Sequence, residues 1–77
     1  TTTLSYSIDK SSLVSMTVFT ITGQRVKQLV NARQQQGVYS VNWNGLDERG
    51  QTVGSGFYLA VLRAGNQQKV IKMNLVK

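Results

Sequence analysis

Apolar and polar residues alternate with a period of two in several short stretches of this 77-residue chain, and glycine-rich or polar turns separate those stretches. A period of two is the signature of a half-buried β-strand, so the pattern constrains the fold more than any single motif does. From Thr3 to Ile8, Leu4, Tyr6 and Ile8 alternate with Thr3, Ser5 and Ser7. From Leu13 to Ile21, Val14, Met16 and Val18 share one face, with Phe19 and Ile21 on the other. Thr22-Gly23-Gln24 then turns the chain into a less regular strand over Arg25–Val30, and the two form a hairpin. The polar segment Asn31–Gly37 reads as a loop. Alternation returns over Val38–Trp43, with Tyr39, Val41 and Trp43 on one face. Asn44–Gly56 holds four of the seven glycines and reads as a structured excursion. Phe57–Arg63 is nearly continuous in apolar character, as a central strand covered on both faces would be. Ala64–Gln67 makes a turn, and Lys69–Val76 alternates again. Six to seven short strands without a convincing helix predict an all-β, antiparallel β-sandwich, with a small barrel as the other arrangement. The length suits one domain over residues 1–77, which would bury about 60–65% of its unfolded-chain surface.

The chain has neither histidine nor cysteine. Disulfides, Cys/His zinc sites, cysteine nucleophiles and Ser-His-Asp triads are therefore excluded. Of the three acids, Asp47 and Glu48 are adjacent and Asp9 is distant in sequence, so no acid/base pair can be named. Gly54-Ser55-Gly56 starts a dinucleotide fingerprint, but Leu59 stands at the third glycine position and a strand follows. Asn42, Asn44, Asp47 and Glu48 resemble a calcium loop in outline. With two carboxylates, and Arg49-Gly50 where a bidentate acid belongs, the better reading is a turn. No enzyme activity, cofactor or metal is expected.

Nine Lys/Arg against three Asp/Glu give a net charge of +6, which favours anionic partners. Tyr39 and Trp43 alternate with Ser40 and Asn42 rather than with basic residues, so no specific nucleic-acid binding is expected and polyanion binding is a minor alternative. The same two aromatics would need exposure to serve as a stacking platform. Core packing is the better role for Trp43, whose N–H then needs an acceptor. The longest apolar run, Phe57–Leu62, is six residues against the ~20 of a membrane-spanning helix, so no transmembrane segment is expected. Thr1-Thr2-Thr3-Leu4 has none of the regions of a secretory signal peptide.

The succession of Gly23-Gln24, Val26, Leu29-Val30, Gly37, Val41-Asn42-Trp43-Asn44-Gly45, Asp47, Gly50, Val53, Ser55-Gly56, Phe57-Tyr58 and Lys72-Met73 resembles a bacterial family. The family is the carboxy-terminal immunoglobulin-like domain shared by the flagellar hook-capping scaffold protein and type IX secretion sorting modules. The resemblance runs from about Thr3 to Lys77, and its most specific part is Trp-Asn-Gly-x-Asp-x-x-Gly followed by Ser-Gly-x-Tyr. It implies an immunoglobulin/fibronectin-III-like sandwich with Trp43, Asn44, Gly45, Asp47, Gly50, Gly56 and Tyr58 as core and turn residues. It also implies a non-catalytic interaction module, extracellular or on the bacterial cell surface. Secretion or anchoring machinery would read Gly65, Asn66, Lys69, Lys72 and Lys77, although charge on a final strand also guards an edge against unwanted pairing.

A second function stands beside it. A structural subunit would polymerise with copies of itself if Leu4, Tyr6 and Ile8 entered a neighbour's core as a self-assembly strand. Each such side chain contributes about 1.5–3 kcal/mol when fully buried.

Overall fold

The computed structural model describes residues 2–76; Thr1 and Lys77, the latter one of the expected contact residues, lie outside them. Six strands follow in order: β1 (Thr2–Ile8), β2 (Ser12–Thr20), β3 (Arg25–Gln34), β4 (Gly37–Trp43), β5 (Gly56–Ala64) and β6 (Gln67–Leu75). They form two antiparallel sheets, β1-β4 and β3-β2-β5-β6. The chain is an all-β, immunoglobulin-like sandwich.

Parity decides which side chains meet between the sheets, because successive residues of a strand point to opposite faces. Leu4, Tyr6 and Ile8 from β1 meet Val14, Met16 and Val18 from β2 and Tyr58, Ala60, Leu62 and Ala64 from β5. Val26, Trp43, Met73 and Leu75 complete the core. Leu4, Tyr6 and Ile8, the residues expected to be donated to a neighbour, thus close the core of their own chain, and β1 pairs with β4 along its whole length.

Three sequence expectations are corrected. Residues 31–34 belong to β3 rather than to a loop, pairing Asn31 with Ser15 and Gln34 with Ser12. That segment is polar because it lies on a solvated edge, whereas the irregular alternation earlier in the strand comes from two register shifts with β2, which leave Leu29 and then Val26 as extra residues. Ile21 does not continue β2 but is 61% exposed in the turn, which is closed by bonds from Gly23 N–H to the Thr20 carbonyl (2.9 Å) and from Thr20 N–H to the Gln24 carbonyl (2.8 Å). β5 is central within its sheet but covered on one face only. Phe57 is 48% exposed, and Leu59 and Val61 are half-buried.

Candidate functional site: a cationic sheet face

The outward face of the four-stranded sheet carries apolar residues that no second layer covers. Register places Phe19 beside Leu59, Thr17 beside Val61 and Ser15 beside Arg63 across β2 and β5. Across β5 and β6, Val61 pairs with Val70 and Leu59 with Lys72. Ser15, Thr17, Phe19, Val61 and Arg63 line a shallow depression of about 180 Å³. Lys72 Nζ lies 4.4 Å from the centroid of the Phe57 ring, a cation–π contact that holds the ammonium over this face.

Charge on the same sheet has one sign. Its four strands contain Arg25, Arg33 and Lys27 on β3, Arg63 on β5, and Lys69 and Lys72 on β6, without a single Asp or Glu. Arg33 stands opposite Leu13, and Arg25 opposite Phe19. Arg25 Nη2 meets Glu48 Oε2 at 3.3 Å, with both side chains about half exposed, so the pair adds little stability; Glu48 offsets Arg25, and the other five cations have no ion-pair partner among the described residues. An apolar centre framed by cations fits an acidic, partly apolar protein surface. The sequence held the signal in the acid-free strands. Phe19, Phe57, Arg33 and Arg63 escape sequence reasoning because their common face follows only from the strand order.

The other expected site residues fall in two places. At the β5–β6 tip, Gly65 adopts φ +60° and its N–H bonds the Leu13 carbonyl at 3.3 Å; Asn66 beside it is exposed. Lys69 follows on β6 opposite inward-facing Leu62, whereas Lys72 lies opposite outward-facing Leu59, so these two lysines project from opposite faces of the sheet.

At the far end of the sandwich, Trp43 is fully buried, its ring in edge contact with Tyr58 at 5.1 Å and its Nε1–H donating to the Leu46 carbonyl at 3.0 Å. Tyr58 O–H donates to the Gly54 carbonyl at 2.6 Å. Asn44 Oδ1 accepts from Leu46 N–H at 3.3 Å, and Asp47 Oδ1 accepts from Arg49 and Gln51 N–H at 2.9 and 3.0 Å. The Gly45 carbonyl accepts from Val53 N–H, and Gly50 N–H donates to the Asp47 carbonyl. Gly56 opens β5 opposite Leu75. These oxygens and amides hold an excursion onto the Trp43 indole, which gives Asn44–Gly56 an architectural role.

A two-layer antiparallel sandwich with a hydrogen-bonded tryptophan corner and an uncovered cationic face defines an immunoglobulin-like domain. The chain belongs to the FlgD Ig-like domain family, that of the flagellar hook-capping protein, whose family model matches residues 1–68. The match names the flagellar side of the resemblance and does not extend to type IX sorting domains; it ends before Lys69 and Lys72. No curated protein and no solved structure matches the chain.

Proposed function

We propose that residues 1–77 act as one non-catalytic assembly domain of exported, surface-associated flagellar hook machinery, docking an acidic partner protein on the outward face of the four-stranded sheet. The observation that carries this reading is the uncovered Phe19, Phe57, Leu59, Val61 and Val70 surface, framed by Arg33, Arg63 and Lys72 on strands without acids. Burying the apolar centre supplies affinity, while the cations steer encounter and reject basic surfaces. Family membership favours structural components of the hook as the source of that partner. The test is binding to purified flagellar hook protein by surface plasmon resonance. Reversing Arg33, Arg63 and Lys72 together to Glu is expected to weaken binding at least tenfold while leaving the near-ultraviolet dichroism of Trp43 intact. Unchanged affinity would overturn the reading.

A finer form of the proposal adds attachment during export through the β5–β6 tip, where Gly65, Asn66 and Lys69 are exposed. Appending residues 1–77 to a reporter tests it. Export that survives Asn66→Ala with Lys69→Ala would remove the tip from that role.

A further inference from the structure

The geometry points to a second docking site, independent of the cationic face: an open position beside β1 that takes one extended, acid-bearing segment of a partner protein as an added strand. Two strands cannot cover four when neighbouring strands stand about 4.8 Å apart in every sheet. Contact between β3 and β4 places the covered side of the sandwich there, and Tyr39 O–H, bonded to the Gln35 carbonyl at 2.6 Å, fastens β4 to the β3–β4 connection. The uncovered side is therefore beside β1. A groove of about 400 Å³ opens there, with Ser7 on its β1 wall, Leu62 and Ala64 from β5, and Gln67, Gln68 and Lys69 from β6. Gln67 and Lys69 stand at inward-facing register positions, opposite Ala64 and Leu62, yet both are exposed. A third strand next to β1 would cover them.

The edges of the sandwich differ in how they resist pairing. β3 carries Arg25, Lys27, Arg33 and two register shifts, and β6 carries Lys69 and Lys72. Charges and bulges of this kind keep foreign strands away. β1 has the sequence Thr-Thr-Leu-Ser-Tyr-Ser-Ile, with no charge, proline or glycine, and its exposed residues Thr3, Ser5 and Ser7 are small. Its backbone groups facing away from β4 are a template for main-chain hydrogen bonds. Inward side chains of the added strand would rest on Leu62 and Ala64, and a carboxylate would meet Lys69, which has no ion-pair partner among the described residues.

A second copy of the chain is the poorer occupant. Each copy carries +6, and antiparallel pairing of one β1 with another would drive the projecting β6 of each copy into the other's sheet. A free extended segment meets neither obstacle.

Panning a displayed library of random dodecapeptides against the full chain, followed by amide chemical-shift mapping of the selected peptides, tests the site. Selected peptides are expected to alternate apolar with polar residues and to carry an Asp or Glu. Shift changes should centre on Thr3–Ile8, Leu62, Ala64 and Lys69. Backbone N-methylation of the peptide and Lys69→Glu should each weaken binding tenfold or more, and panning on the Lys69→Glu chain should select basic peptides instead. The Arg33, Arg63 and Lys72 reversal should leave this binding unchanged, which separates it from docking on the cationic face. Peptides that map only to the outward sheet face, indifference to N-methylation, an unchanged charge preference after Lys69→Glu, or a library that yields no binder would each overturn the proposal.

Discussion

Trp43 shows how one residue fixes a corner of the molecule, since its indole is fully buried and its N–H is matched to the Leu46 carbonyl. Trp43→Ala is expected to cost about 3–5 kcal/mol through lost contacts and an unfilled cavity, read as a lower urea midpoint. Trp43→Phe retains much of the apolar volume but strands the Leu46 acceptor, so it should fall well short of that loss. Asp47→Ala removes the acceptor of two backbone N–H groups and is expected to cost about 1–2 kcal/mol, with faster hydrogen exchange at Arg49 and Gln51. Gly65 is constrained by its positive φ, with Ser12 Oγ 3.4 Å from where a Cβ would lie. Gly65→Ala should cost about 1–2 kcal/mol because an L side chain crowds the backbone in that region. Asp47 and Gly65 were legible as turn residues and Trp43 as a core residue. Their partners were not, because a hydrogen bond from Trp43 to Leu46 depends on how the excursion folds back.

Among the elements, β3 and β6 show where periodicity stops informing. β3 looks like a strand followed by a polar loop because two extra residues break its alternation and its second half lies on a solvated edge. A bulge is defined by the partner strand, so no reading of β3 alone recovers it. On β6, the odd spacing of Lys69 and Lys72 already assigns them to opposite faces by parity. Which face meets a covering layer depends on the sheet opposite. Lys72 and Phe57 provide a test of the outward face as an element. A double-mutant cycle of Lys72→Ala and Phe57→Ala is expected to give a coupling of about 0.5–1 kcal/mol, the range for cation–π contacts at exposed sites. A coupling of zero would show that the ammonium does not rest over the ring in solution.

For the molecule as a whole, strand pairing between distant segments governs folding. β1 pairs with β4 and β2 with β5, so much of the native structure requires closing long loops first. Refolding of this all-β chain is therefore expected in the range of about milliseconds to seconds. The chain contains no proline, so stopped-flow traces should lack the phase of roughly 10–100 s that prolyl isomerisation imposes. A persistent phase of that length would have to come from assembly or aggregation. At 77 residues the margin for error is small, and each 1 kcal/mol lost should lower the midpoint of thermal unfolding by about 4–8 °C.

By itself, the sequence determined that the chain is built of antiparallel strands, which residues share a face of each strand, and where glycine and Asx turns interrupt them. Those features follow from backbone geometry within a few residues. It also carried the positive charge and the acid-free strands, though not the surface they frame. Only the tertiary structure decided that β5 is covered on one face, that Arg33, Arg63 and Lys72 frame the same apolar surface, and that a groove remains beside β1. Each of these depends on how many strands lie in each layer and which strands are neighbours. That partition is set by the burial of all the inward faces together, and no single segment encodes it.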